Sequence, residues 1–234
     1  MGESEDDMAA KSGRDRVRQF SRPASAPRSE VPLSIERIVT TAVEVLDAEG
    51  VEGLTMRRLA ERLGAGAMSV YWHVGNKEAV FDLALDAVLA YQPPARSETG
   101  AGDWRADIVH MLEDWRGAML RHPWSATLLP RRALGPNMLG RLDLLSRTLS
   151  AAGVADDDLN VAIWSLWNFV MGATVTRGNF ERTDEERAAA QQHLTEYYPA
   201  IGRSRLLLDS DWDGAFRKGL DLLLDGIAPK TLTG

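Results

Sequence analysis

The chain contains no cysteine. That excludes a disulfide framework, a thiolate metal site and a thiol nucleophile, and it favours a reducing compartment. Lysine is scarce as well: it stands only at positions 11, 77, 218 and 230, and every other cation is arginine. Of the four histidines, His110, His122 and His193 lie outside the segment discussed below, and their spacing suits no metal. No metal and no cofactor is therefore expected. Long apolar runs are missing too. The longest, residues 161–175, is broken by Ser165, Asn168, Gly172 and Thr174, and reads as too short and too interrupted for a membrane span. The opening "MGESEDDMAA" lacks a cationic segment followed by an apolar one, so no signal peptide is expected. The expectation is a soluble cytoplasmic chain without a membrane partner. Neither a strand-like alternation nor an internal repeat is found.

What is present is ordinary in bulk and uneven in detail. The 234 residues are 44% apolar and 26% charged, enough for a small domain joined to a larger one. A net charge of −7 argues by itself against nucleic acid. The distribution argues otherwise, because residues 11–28, "KSGRDRVRQFSRPASAPR", set six cations against Asp15. With Pro, Ser and Ala as filler, residues 1–32 read as a flexible basic arm. A merely solubilising tail is an equal reading.

Helical periodicity begins after the arm. Ile35, Ile38, Val39, Ala42, Val43 and Leu46 form one face, with Ser34 as N-cap, Leu33 and Ile38 as a staple, and Gly50 as the stop. Thr55 caps a second helix, "MRRLAERL", which stops at Gly64. A very short third helix follows, closed by Gly75. Asn76 caps a fourth, with Val80, Phe81, Ala84, Ala87, Val88 and Tyr91 on its face, ended by Pro93 and Pro94. Segments near 103–121, 136–152, 156–180, 184–197 and 212–227 keep the helical period. The fold class is all-α, with a helix-turn-helix domain at 33–75 and a larger helical domain at 76–230.

The third helix, within "LGAGAMSVYWHV", poses the question of function. Tyr71, Trp72 and His73 are consecutive rings, too many polar tips for a core and too much apolar area for a plain surface. A second helix after a glycine turn is the part of a helix-turn-helix that enters the major groove. Val70 and Val74 can face inward. Small Ala67 and Ser69 permit close approach to DNA. Met68 and Trp72 can pack on thymine methyls, while Tyr71 and His73 can reach phosphates. Lys77 and the amides of the fourth helix can hold another phosphate, as can Thr55 and Arg57 at the start of the second. Cover for a small three-helix core is the bland alternative for Tyr71 and Trp72.

"LTMRRLAERLGAGAMSVYWHVGNKEAV", together with "AEGVEGLT", closely resembles the DNA-binding domain of the tetracycline-repressor family of bacterial regulators. The match runs from Leu33 to Val88. The resemblance implies a dimer that binds double-stranded operator DNA and is released by a small molecule. By position it gives Thr55, Arg57, Tyr71, His73 and Lys77 phosphate-contacting roles, and Ala67, Met68, Ser69 and Trp72 base-facing ones. Residues 34–90 carry five cations against nine anions, so Arg57, Arg58, Arg62 and Lys77 must be segregated from the acids to make a binding face.

"LRHPW", "LGPN" and the helix from Leu159 to Thr176 resemble the regulatory domain of the same family. That helix is apolar on nearly every side, which requires burial against both a core and a partner surface. Ala162, Gly172 and Ala173 are small enough to let a second helix approach. The final helix has Phe216, Leu220, Leu223, Leu224 and Ile227 on one side and Ala215, Gly219 and Leu222 on another. Two helices from each subunit would make a four-helix homodimer interface. Monomer core is the bland alternative. The candidate effector pocket is Met111, Trp115, Trp124, Leu129, Met138, Trp164, Trp167 and Met171, suited to a large, flat, mostly apolar molecule. The same residues serve equally as core. Met111 stands where the family's namesake has an amide, Leu129 where it has a metal-binding histidine and Pro93 where it has a ligand-binding one. A ligand bound without metal, and not tetracycline, is implied.

The expected function is ligand-relieved transcriptional repression. An activator or a regulator with a vestigial pocket fits the same fold. A helical enzyme lacks a phosphate loop, a thiol and a Ser–His–acid set, and the acidic run "ADDDLN" reads as a solvated helix start. A nucleoid protein would bind without regard to sequence.

Overall fold

The computed structural model describes residues 32–93, 103–179, 183–204 and 211–228. The basic arm, apart from Pro32, lies outside them. The described residues form α-helices with no strand, as the periodicity predicts.

Helix α1, Ile35–Gly53, starts where Ser34 Oγ accepts the amide of Arg37 at 3.2 Å. The regular helix stops at Gly50, whose φ of 70° is a conformation that costs a side-chain-bearing residue far more, and one further turn runs on to Gly53. α2, Met56–Leu63, is capped by Thr55, whose hydroxyl accepts the Arg58 amide at 3.1 Å. Gly64 ends it in the left-handed region, φ 62°, and returns its amide to α2. α3 spans Ala67–Val74. α4, Lys77–Val88, begins with Asn76 accepting the Ala79 amide at 2.8 Å. It is shorter than the sequence face suggested: Leu89 is already its C-cap, and Tyr91 lies beyond it.

The larger half contains α5, Trp104–Arg121; α6, Pro123–Leu128; a 3-10 turn, Leu129–Arg131; and α7, Pro136–Ala151. It continues with α8, Asp156–Asn179; α9, Asp184–Tyr197; α10, Pro199–Ser204; and α11, Trp212–Ile227. The 3-10 turn and two of the α-helices, α6 and α10, are additions to the sequence reading. Pro123 and Pro199 were read as separators, yet each occupies the first helical position, where its fixed φ helps and its missing amide costs nothing.

A single apolar core joins both halves. In the first, Ile38, Ala42, Val45 and Leu46 of α1 meet Leu59 and Leu63 of α2, Val70 and Val74 of α3, and Val80, Phe81 and Ala84 of α4. In the second, α5 is central and buries Ile108, Met111, Leu112, Trp115 and Met119 against α7, α8 and α11. α8 corrects one expectation. Over Asp156–Arg177 it is long and apolar enough to cross a membrane by length and composition, because the polar residues that punctuate its sequence do not interrupt the helix. Its apolar residues are divided instead: Ala162, Leu166 and Val170 are buried in the core, while Val161, Trp164 and Val175 face outward.

Candidate nucleic-acid interface and effector site

α3 is held by its inner face only. Val70 is fully buried and Val74 nearly so, against α1, α2 and α4. The opposite face is bare: Met68 is 80% exposed and Trp72 82%. Ala67, Ser69 and Tyr71 are exposed beside them, and His73 is half-buried with its ring edge-on to Trp72 at 5.1 Å. Exposing an indole and a thioether to water while the backbone is well anchored is unfavourable unless something covers them. The helices on either side of α3 begin with groups of the kind that bind anions. Thr55 and Asn76 mark two helix N-termini, and Lys77 opens α4 with its Nζ 5.2 Å from the Phe81 ring centre. Of the nine residues read as DNA-facing, Thr55, Arg57, Ala67, Met68, Ser69, Tyr71 and Trp72 are exposed, and His73 and Lys77 are half-buried.

The cations are not segregated as expected. Arg57 Nε lies 2.9 Å from Glu61 one turn on, and that carboxylate raises the pKa of a fully exposed guanidinium. Arg58 and Arg62 both pair with Glu49, at 2.6 and 3.0 Å. The cause is packing: α1 lies along α2, so the acid at the end of α1 projects between the arginines one turn apart on α2.

Two sets of contacts tie α1 and α4 to the helices that follow them. From α1, Asp47 accepts the Trp124 indole N–H at 2.7 Å and lies 2.9 Å from His122 Nδ1, at the head of α6. From α4, Asp86 Oδ1 accepts the amides of Asn137 and Met138 at 3.0 and 3.3 Å, capping α7. Gly135 has no room for a side chain here, since a Cβ would sit 2.3 Å from that carboxylate. Arg132 bonds to Asp82 at 3.1 Å and to Glu78, and stacks on Phe81.

A cavity of about 340 Å³ opens between α5, α7 and the segment after α4. Tyr91, Pro93, Asp107, Met111, Leu144, Arg147 and Thr148 are among the residues that line it. Met111 alone among the candidate pocket residues is in this lining. Trp115, next on the same face of α5, is buried, and its indole N–H has no partner among the described residues. Trp115, Trp167 and Trp164 form a ladder of edge-on rings, 4.9 and 5.7 Å apart, that runs from the core to the outer face, where Trp164 is 54% exposed. Leu129 and Met138 are buried, Met171 is half-buried, and Trp124 is held by Asp47 rather than opening on this cavity. Reading the sequence missed Tyr91, Asp107 and Thr148, which are polar residues on half-buried faces and carry no motif. Among the described residues no group of three or more His, Asp or Glu converges as a metal site would require.

Residues 38–84 match the family of bacterial regulatory proteins called tetR, and residues 96–231 match the tetracyclin repressor-like C-terminal domain. The chain belongs to the TetR family of transcriptional regulators. An HTH-type transcriptional regulator of Saccharopolyspora erythraea is 38% identical over 88% of this chain and 89% of its own. The HTH-type transcriptional repressor DrrR1 of Streptomyces coeruleorubidus is 34% identical over 88% and 80%. The Streptomyces coelicolor TetR family protein ActR, solved in complex with actinorhodin, superimposes with a TM-score of 0.73 at 28% identity, covering 84% of this chain and 97% of that one. The chain is a DNA-binding regulator and not an enzyme, and TetR-family regulators bind DNA through the helix-turn-helix and small molecules through the larger half.

Proposed function

We propose that the protein is a cytoplasmic homodimeric repressor that binds palindromic operator DNA through α3 and leaves it when a small, largely apolar molecule enters the larger half. The observation that carries this reading is the bare outer face of α3, with Met68 and Trp72 almost wholly exposed on a helix fixed by Val70 and Val74. In this reading Ala67, Met68, Ser69 and Trp72 meet base edges, and Thr55, Arg57, Tyr71, His73 and Lys77 meet phosphates. DNA binding belongs to residues 33–75, and effector binding and dimerisation to 76–230.

Dimerisation is supported by α8 and α11. Val161, Trp164, Asn168, Gly172 and Val175 follow one exposed stripe of α8, and Leu222 of α11 is 76% exposed. The two helices cross within the chain where Gly219 admits the Phe169 ring. Their outer faces remain for a second copy. Two recognition helices must then sit about 34–36 Å apart to reach successive major-groove faces.

Release is supported by the cavity at Tyr91 and Met111, by the buried indole N–H of Trp115, which has no partner among the described residues, and by the ActR complex. Moving a dimer from 99:1 to 1:99 needs about 5.5 kcal/mol of differential affinity. At ~25 cal/mol per Å² that is roughly 220 Å² of apolar surface, about half in each protomer's cavity. A flat polycyclic molecule carries that much.

Selection from a pool of random duplexes tests the reading. The wild-type chain should enrich a palindrome with half-sites about 10 base pairs apart. A polycyclic effector candidate should quench tryptophan fluorescence over the concentrations that release the selected duplex, with no need for magnesium. Enrichment of no sequence would overturn the repressor reading.

A further inference from the structure

Arg141 occupies a position where the helical period places apolar side chains. It lies on the buried face of α7 with Met138, Leu145 and Leu149 and is 3% exposed. Nη1 donates to the Met111 carbonyl at 2.9 Å. Nη2 donates to the Leu89 carbonyl at 3.0 Å, to Asp114 Oδ2 at 2.9 Å and, at longer range, to the Ala90 carbonyl at 3.4 Å. The guanidinium carbon lies 4.6 Å from the centre of the Tyr91 ring. Burial lowers the pKa of Arg141, and Asp114 opposes that shift, as a buried cation demands of its partner.

Asp114 accounts for the charge but not for the placement. Leu89 and Ala90 follow directly on the last residue of α4, so their carbonyls belong to the negative end that a helix leaves unpaired. Arg141 grips that end. Of the other grips on α4, Arg132 holds Glu78 and Asp82 near its start, and Asp86, in its last turn, caps α7 and accepts the Asn137 side-chain amide at its carbonyl; Arg141 alone among these reaches the carbonyls past the last helical residue. Tyr91 separates the guanidinium from the cavity: it packs on Arg141, lines the cavity, and holds its hydroxyl 3.0 Å from His110 Nδ1.

We propose that Arg141 is the positioning residue through which the state of the cavity reaches α4, and through α4 the recognition helix. This rests on the reading of the chain as an effector-released repressor. A molecule packed against Tyr91 moves the ring that covers the guanidinium, and residues 89–91 are the segment that the same guanidinium ties to α5 and α7. A shift of Tyr91 therefore loosens the grip on the end of α4. Because α4 packs on α1 and α3, its tilt moves the DNA-binding face.

A double-mutant cycle tests this without an effector, using the duplex that the wild-type chain selects from a random pool. Tyr91→Ala alters the cavity wall, and in the otherwise wild-type chain it should weaken operator binding about tenfold, an ordinary site-to-site coupling. In an Arg141→Met background the same change should matter by less than about twofold. Equal losses in both backgrounds, or no loss in the first, would overturn the proposal. Arg141→Lys keeps the charge and loses the planar fork. It should speed amide exchange at residues 85–91 about tenfold while α1 and α8 keep their rates. Uniform acceleration across the core would instead mean a merely structural arginine and would overturn the proposal as well. Selection of a palindrome together with an additive cycle sinks the inference alone; selection of nothing sinks the repressor reading and the inference with it.

Discussion

Trp72 and Trp164 make an instructive pair. Both are indoles that stand out from helices whose opposite faces are buried, and both are more than half exposed. Their surroundings differ. Trp72 sits on an eight-residue helix among Ser69, Tyr71 and His73, with two capped helix N-termini and Lys77 nearby. Trp164 sits on a 24-residue helix in a stripe with Val161, Gly172 and Val175. Donors and helix ends around an exposed ring suit a polyanion. Aliphatic and small residues around it suit another helix. An exposed aromatic says only that something covers it; the neighbours say what.

The largest expected effect would break the second half of that comparison. Val161→Asp with Leu222→Asp should leave the far-UV spectrum unchanged, since both side chains lie on the surface. Dimerisation should weaken by a factor of 100 or more, because each buried aliphatic contributes roughly 1.5–3 kcal/mol. Sedimentation velocity reads the change as a shift to monomer, and operator affinity should collapse with it. A dimer that persists would assign the stripe to some other surface.

A smaller effect sharpens the first half. Lys77→Ala should weaken binding to good and poor sites alike, since phosphates carry no sequence information. Titrations at several salt concentrations should show the salt slope fall by about 0.9 for the lost contact. Discrimination between sites that changed with Lys77 would give it a base-reading role instead.

The smallest effect concerns the larger half alone. The hydrogen bond from Arg116, followed by the pull of Arg177, holds Asp213 below its ordinary pKa of 3.8. A carboxylate with a depressed folded pKa stabilises the fold above its unfolded value and loses that contribution as pH falls through the folded one. The link from α5 and α8 to α11 should therefore weaken below about pH 4, and because Asp213 is largely exposed the loss should be modest. Thermal melts of Asp213→Asn should show a flatter acid limb than the wild type. Identical limbs would mean the pair contributes nothing.

The helices were legible where apolar residues recur over several turns and a cap residue precedes them, as at Ser34, Thr55 and Asn76. α6 and α10 were not, because six residues give too little periodicity and their prolines read as breaks. The exposed outer face of α3 was legible because its residues lie within one short segment whose valines mark the inner side. The cavity was not: Tyr91, Asp107 and Thr148 come from separate elements, and only packing brings them together. The arginines of α2 show the same limit in charge, since nothing local indicates that Glu49 of α1 falls between Arg58 and Arg62. Arg141 left a readable trace, a cation at the buried register of α7, although its partners lie 27 and 52 residues away.

The central claim is that the outer face of α3 reads base pairs. Met68 tests it most directly, because it is 80% exposed and lies outside the buried core, so its loss should leave the fold intact. Binding-site profiles of the wild type and Met68→Ala, from the same random pool at the same salt, should differ at one symmetric pair of positions. The preference there should fall by roughly 1 kcal/mol or more, the size of one base contact. A profile that keeps every preference after Met68→Ala would contradict the orientation of α3 argued from its buried valines.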